Sequence, residues 1–276
     1  MSGDTAIWLD GERIAALPLP DRGLDFGDGL FETLLVREGR PLYSELHLER
    51  LARGCKVLMF PDCSARVQEQ MYLAAEATGA SSCAMRITLT RGSGPRGYAP
   101  PPITAPRVVI STTRLDTPVQ AKPLPARLGV ASIRLATQPA LAGIKHLNRL
   151  EQVLAAQEYC GQGLDEAVML DQQGRVISVV AGNLFLAIDK ELLTPAIGDC
   201  GVAGTRRALI RQRWAPAIGL GVREEVISAL QLEQADEVFY CNSLVGLRPV
   251  ASIGSRSWNA HPMCEALYRH YLSELA

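Results

Sequence analysis

Apolar positions along the chain alternate in short runs that are interrupted by stretches of helical spacing. Ala6-Ile7-Trp8-Leu9, Asp10-Gly11 and Arg13-Ile14 together predict a hairpin, because Asp-Gly readily takes the positive φ values of a type I′ turn. Leu30 to Val36 predicts a strand, Glu38-Gly39-Arg40 a turn, and Pro41-Leu42-Tyr43 a short strand. Ser44 is read as the N-cap of a helix on which Leu48, Leu51, Cys55 and Leu58 recur at helical spacing. Ser64 is read as the N-cap of a second helix that stops at Gly79. Cys83 to Thr90 and Arg107 to Thr113 read as strands.

Residues 115–126 hold three prolines and no apolar periodicity, which predicts an interdomain linker. Beyond it the pattern predicts a strand at 127–133, a helix at 146–160, and strands at 166–171, 175–180 and 183–188. A helix at 204–214, strands near 222–227 and 236–241, and a closing helix near 260–274 follow. The expectation is a mixed α/β protein of two domains: an N-terminal one over 1–114 and a C-terminal one over 127–276 that carries Lys145.

Composition narrows the function classes. With 47% hydrophobic and 21% charged residues the chain can fill a core and is not disordered. Lys plus Arg is 28 and Asp plus Glu is 29, a balance that argues against nucleic acid as a partner. No apolar run approaches the ~18 residues of a membrane span, so no membrane partner is expected. The start, Met-Ser-Gly-Asp-Thr, lacks a basic segment followed by an apolar one, so no signal peptide is expected. Seven widely spaced Cys without a CxxC fit reduced thiols, and the four His form no metal-ligand pattern, so a cytoplasmic protein without a metal is expected. Of the 28 cations only four are Lys, at 56, 122, 145 and 190, which singles out few places where an amine is required.

Three segments carry candidate chemistry. Gly92-Ser93-Gly94-Pro95-Arg96-Gly97 spells GxGxxG after a strand, but Tyr98-Ala99-Pro100-Pro101-Pro102 follows, and that run cannot open the helix a dinucleotide site requires. What remains is a glycine-rich loop with Arg91, Arg96 and Tyr98, either an anion-binding loop or a solvated one. Lys145 follows Leu141-Ala142-Gly143-Ile144 and precedes a predicted helix; desolvation and the helix dipole would both disfavour its ammonium and suit it to Schiff-base chemistry. A surface Lys at a helix start is the alternative. Gly204-Thr205-Arg206 opens a helix whose free N–H groups suit a phosphate, and Asn242-Ser243 after a strand either adds donors or makes a plain turn.

Four segments together resemble the fold type IV class of pyridoxal-phosphate enzymes, which includes the branched-chain and D-amino-acid aminotransferases. They are Asp21-Arg22-Gly23 with Phe26-Gly27-Asp28-Gly29-Leu30-Phe31-Glu32-Thr33, His47-Leu48-Glu49-Arg50-Leu51, the setting of Lys145, and Gly182-Asn183-Leu184-Phe185. Within the class, residues 91–98 and 142–152 most resemble the aminodeoxychorismate lyases. The resemblance spans nearly the whole chain. It implies pyridoxal 5′-phosphate as cofactor, Lys145 as the residue that carries it and shuttles protons, and Arg50 on its phosphate. The N–H groups of Thr205 and Arg206, with Asn242 and Ser243, would complete a phosphate cup. Phe31 would line the pocket, and Arg96 with Tyr98, and Arg91 beside them, would hold substrate carboxylates. A homodimer acting on a small molecule is implied as well. The activity implied is conversion of 4-amino-4-deoxychorismate to 4-aminobenzoate and pyruvate in folate-precursor synthesis. A D-amino-acid or branched-chain aminotransferase is the alternative.

One departure stands out. The class usually carries a Glu five residues before the Asn-Leu-Phe strand, paired with the cofactor's pyridine nitrogen, and this chain has Ser178 there. A hydroxyl can hydrogen-bond that nitrogen but does not hold a proton on it as a carboxylate does, so the electron sink should be weaker. Elimination driven by formation of an aromatic product should tolerate this better than transamination does. A low-activity or non-catalytic homologue is the opposing reading.

Overall fold

The computed structural model describes residues 5–79, 82–116 and 123–275. The chain forms two compact units, Met1–Val119 with Ile144–Asn148, and Gln120–Gly143 with Arg149–Ala276. Half of the expected linker, 117–122, lies outside the described residues.

The N-terminal unit runs β1 (Thr5–Leu9), β2 (Glu12–Arg13), α1 (Arg22–Phe26), β3 (Gly29–Arg37), β4 (Arg40–Pro41), α2 (Ser44–Val57), α3 (Ser64–Glu76), β5 (Cys83–Thr90) and β6 (Arg107–Arg114). Its sheet has the order β2-β1-β6-β5-β3-β4, antiparallel throughout. Alternation explains the two faces of β3 and β5. Leu30, Leu34, Met85, Ile87 and Leu89 are buried on one face with Leu51 and Cys55 of α2. Phe31 and Thr33, with Arg86 opposite Thr33, lie on the other. Neither serine is an N-cap. Ser44 and Ser64 are the first helical residues, Tyr43 and Cys63 precede them, and neither of those caps its helix with a side-chain hydrogen bond. The Ser44 hydroxyl meets Tyr72 Oη at 3.0 Å instead, and Asp62 Oδ1 accepts from Ser64 N at 2.9 Å.

The C-terminal unit runs β7 (Ala126–Leu135), α4 (Leu150–Gly161), β8 (Glu166–Asp171), β9 (Val176–Val179), β10 (Asn183–Ile188), β11 (Glu191–Pro195), α5 (Thr205–Leu209), a π-helical turn (Ile210–Trp214), α6 (Ala215–Ala217), β12 (Val222–Glu225), α7 (Ala229–Gln234), β13 (Glu237–Asn242), β14 (Gly246–Ile253), β15 (Arg256–Ser257) and α8 (Pro262–Leu275). The sheet order is β12-β11-β10-β13-β14-β7-β8-β9, with β15 on β14. The β11–β12, β14–β7 and β7–β8 pairs are parallel and the rest antiparallel. The sheet curls, so that Leu128, Val168, Val179, Leu184, Val238 and Val250 from six strands share one core. On the other face Ala167 and Met169 pack with Ala155 of α4. Strands β11, β14 and β15 and helix α7 were not anticipated. Pro249 and Arg248 interrupt the apolar pattern of β14, and α7 spans only six residues.

The helix expected from 146 begins at Leu150. Residues 145–147 are extended and pair with β3: Phe31 N donates to Lys145 O at 2.8 Å, Leu147 N donates to Gly29 O at 3.0 Å, and Leu30 bridges His146. These bonds group Ile144–Asn148 with the N-terminal unit rather than with the half of the chain that flanks it. No described helix is long and apolar enough to cross a membrane, and no described group of His, Cys, Asp and Glu could hold a metal ion.

Candidate active site

The N-terminal unit builds its chemistry on the β3 face opposite α2. A Cβ on Gly29 would sit 2.5 Å from Leu89 O and 2.7 Å from Leu147 Cδ1, so glycine here lets the 145–147 segment lie against the strand. That contact aims Lys145 across the ring of Phe31, with Nζ 4.1 Å from the centroid. Arg86 reaches the same ring from β5, its guanidinium carbon 4.0 Å from the centroid. The Arg86 side chain makes no hydrogen bond among the described residues, and the residue was not singled out in the sequence. A cation in mid-strand, where Met85, Ile87 and Leu89 alternate inward, was its available signal; the register that sets it beside Phe31 was not readable. With Lys145 on extended backbone, the helix-dipole argument for its amine no longer applies.

Arg50 projects from α2 to the opposite face of β3. Its Nε and Nη2 donate to Glu32 Oε1 and Oε2 at 2.8 and 2.5 Å, and His47 Nδ1 lies 2.6 Å from Oε2. All three side chains are buried. Burial pushes the Glu32 carboxyl up, but the Arg50 charge and the hydrogen bonds from Arg50 and His47 outweigh it and hold the group at about 2. The candidate phosphate ligand is thus fixed by a bidentate pair that uses two of its three nitrogens.

The glycine-rich loop divides in two. Arg91 is buried; its Nε donates to Asp28 Oδ2 at 2.7 Å and its Nη2 to Leu58 O at 2.7 Å, with Phe60 beneath it. This bracing replaces the expected contact with a substrate carboxylate, because the nitrogens that would form the contact are taken. Arg22 pins the rest of the loop, donating to Gly97 O at 3.0 Å and Tyr98 O at 2.8 Å. Asp28 receives both arginines, and although burial raises its carboxyl, their hydrogen bonds and charges bring it below the usual range. Arg96 and Tyr98 remain exposed at the tip, and the Tyr98 ring leans on Phe26 at 5.5 Å.

The C-terminal unit brings Thr205, Arg206 and Ser243 together. Gly204 caps α5, and a Cβ there would fall 2.0 Å from Asn183 Oδ1. Asn183 Nδ2 in turn holds Val202 O at 2.9 Å and fixes the approach to the helix. Thr205 Oγ1 and Ser243 Oγ lie 3.2 Å apart, and buried Arg206 donates to Ser243 O at 3.3 Å. The backbone N–H groups that open α5 belong to a helical run continuing through the π turn to Ala217. Asn242 behaves as a turn former: Oδ1 accepts from Leu244 N and Val245 N at 3.0 and 2.8 Å, and Nδ2 donates to Ala181 O at 3.0 Å. Its side chain is thus taken up by this turn and by Ala181 O. Ser178, opposite Met169 on β9, is half-buried, and its hydroxyl makes no hydrogen bond among the described residues. Asp171 is fully buried and spent on Arg175 and the β8–β9 turn, so it does not replace the missing carboxylate. A cavity of about 980 Å³ in this unit, floored by Leu128, Leu170 and Trp258, is lined by none of the candidate residues.

The pattern of the family described as amino-transferase class IV matches residues 29–253. The chain belongs to that family. Among class IV relatives, an aminodeoxychorismate lyase from Vibrio harveyi is 34% identical over 249 residues, 90% of this chain and 91% of that protein. One from Bacillus subtilis is 26% identical over 96% of this chain and 92% of its own length. The crystal structure of 4-amino-4-deoxychorismate lyase from Pseudomonas aeruginosa is 41% identical, with a TM-score of 0.90 over 98% of this chain and 99% of that one. The branched-chain aminotransferase of Escherichia coli, 24% identical with a TM-score of 0.86 over 98% of this chain and 94% of that one, shares the fold.

Proposed function

We propose that the chain is a pyridoxal-phosphate-dependent lyase that converts 4-amino-4-deoxychorismate to 4-aminobenzoate and pyruvate, a step in making folate precursors. The observation that carries this reading is the pair of cations, Lys145 and Arg86, on the single ring of Phe31. It offers an amine for the cofactor beside a guanidinium for a carboxylated substrate. The similarity to proteins named aminodeoxychorismate lyase supports the choice of reaction.

The residues present fit pyridoxal phosphate. The Thr205 and Ser243 hydroxyls converge at the start of α5, where Gly204 lets the Asn183 side chain close against the helix start, and Lys145 provides a primary amine. When bound, the cofactor withdraws electrons from the amino-bearing carbon of the substrate and acidifies its proton. Lys145 holds the cofactor and takes that proton, and the flat face of Phe31 keeps water from one side of its amine. Thr205, Ser243 and the first N–H groups of α5 donate to the phosphate; Arg50, aligned by Glu32, adds its charge. Arg86, Arg96 and Tyr98 take the substrate carboxylates. Ser178 offers the pyridine nitrogen a hydroxyl without a charge. The carbon–oxygen bond to the enolpyruvyl group breaks as the proton leaves, the ring becomes aromatic, and enolpyruvate takes a proton to become pyruvate.

Supplying aminodeoxychorismate with no 2-oxo acid tests the reading: pyruvate and 4-aminobenzoate released in equal amounts support it. Turnover only with an amino donor and a 2-oxo acid would instead identify an aminotransferase. The chain is further proposed to work in the cytoplasm as a homodimer. Leu150, Val153 and Leu154 expose an apolar stripe along α4, at 77%, 48% and 48% of their surface, which a second copy would cover.

A further inference from the structure

Glu166 is a buried carboxylate that the proposed reaction does not use. It opens β8 with only 4% of its surface exposed, on the same side of the strand as the core residues Val168 and Leu170. Taking a carboxylate out of water is expensive unless its oxygens are satisfied. Glu166 has no ion-pair partner among the described residues. Arg248, whose charge acts on it, is bound to Asp165 Oδ1 at 2.9 Å and Leu124 O at 2.8 Å. Glu166 is satisfied by main-chain amides, Oε1 by Ala167 N at 3.1 Å and Oε2 by Ala181 N at 3.2 Å. Burial raises its carboxyl above the usual range.

The second of those bonds reaches beyond the strand. Ala181 lies in the tight turn from β9 to β10, closed by Val179 N on Gly182 O at 3.0 Å and pressed so close to β13 that a Cβ on Gly182 would lie 2.6 Å from Cys241 O. The carbonyl of the same Ala181 receives Asn242 Nδ2, and Asn242 Oδ1 takes Leu244 N and Val245 N. Ser243 lies inside that turn, with its hydroxyl against Thr205. Hydrogen bonds therefore lead from Glu166 to Asn242, and the turn that Asn242 closes carries Ser243, whose hydroxyl meets Thr205. A carboxylate suits the start of this path because it accepts on both oxygens and brings no donor that would need a partner.

We propose that Glu166 is a positioning residue for cofactor phosphate: by holding the Ala181 amide it fixes the turn that, through Asn242, sets Ser243 against Thr205. The proposal rests on the reading that Thr205 and Ser243 receive the phosphate. It is tested by measuring the affinity of the apoprotein for pyridoxal phosphate and for pyridoxal, which lacks the phosphate, alongside the melting temperature of each apo variant. Glu166→Leu should weaken pyridoxal phosphate about tenfold, the scale of one lost hydrogen bond to a charged group, and leave pyridoxal within about twofold. Glu166→Gln keeps one acceptor and should stay within about threefold of the native protein. Glu166→Leu with Asn242→Ala should bind no more weakly than the weaker-binding of the two single variants, because both cut the same path. Equal loss for the two ligands, no loss, or losses that multiply would overturn the proposal. Ser243→Ala separates the two layers. If it lowers the preference for pyridoxal phosphate while Glu166→Leu does not, the positioning role alone fails; if it leaves the preference unchanged, the cup reading fails and the role falls with it. Should Glu166→Leu not fold, Asn242→Ala must lower the preference by itself, and an unchanged preference refutes the proposal.

Discussion

Replacing Glu32 with Gln removes the charge that anchors Arg50 while nearly conserving volume. In the folded chain Glu32 is 2% exposed, and its carboxyl is held at about 2 against an ordinary 4.5. At ~1.4 kcal/mol for each tenfold change in proton affinity, that depression corresponds to about 3 kcal/mol of stability. Since the folded value lies below the unfolded one, the contribution is complete above pH 4.5 and is lost as the pH falls toward 2. The substitution also leaves the Arg50 guanidinium buried without its counter-charge, and breaking a buried pair in this way typically costs about 3–5 kcal/mol. The two figures agree in scale. Urea unfolding of the native protein and of Glu32→Gln, followed from pH 7 to pH 3, should show a gap of about 3 kcal/mol at neutral pH that narrows below pH 4.5. A gap under about 1 kcal/mol at pH 7, or one that does not change with pH, would refute the reasoning, because the ion pair would then contribute no more than an exposed one.

Lys145→Ala should abolish the visible absorbance of the protein incubated with pyridoxal phosphate and lower turnover by at least about a thousandfold, read by spectrum and pyruvate release. Arg86→Ala should raise KM for aminodeoxychorismate about tenfold or more while leaving cofactor affinity within about twofold, which steady-state kinetics and titration distinguish. Ser178→Glu should raise any transaminase side activity, measured with an amino donor and a 2-oxo acid; no change would count against the weak-sink account. Leu150→Glu should shift the sedimentation coefficient toward that of a monomer if the α4 stripe is covered by a second copy.

The elements legible in the sequence were those whose signal is local. Asp10-Gly11 turns the first hairpin, with Trp8 opposite Arg13, and the alternation at Cys83–Thr90 marks a strand of the same bounds. What depends on distant partners was not legible. The residues after Lys145 read as a helix start, but their pairing is with Gly29 and Phe31, more than a hundred positions away, and that pairing overrides local preference. Lys145 itself was singled out by the scarcity of lysine and by resemblance. Its companion Arg86 was hidden because cross-strand register decides which cation reaches Phe31. Arg91 looked like an anion binder because its partners, Asp28 and the carbonyl groups of Leu58 and Met59, come from two other segments. Asn242 followed the more ordinary use of its residue type, a turn.

The central claim is the reaction, and it is tested most directly by giving the holoprotein aminodeoxychorismate as the only organic substrate while recording the visible spectrum, pyruvate and 4-aminobenzoate together. The account predicts a spectral change on mixing, followed by the two products in equal amounts with no 2-oxo acid present. Absence of both products without an amino acceptor, alongside turnover when an amino donor and a 2-oxo acid are added, would contradict it.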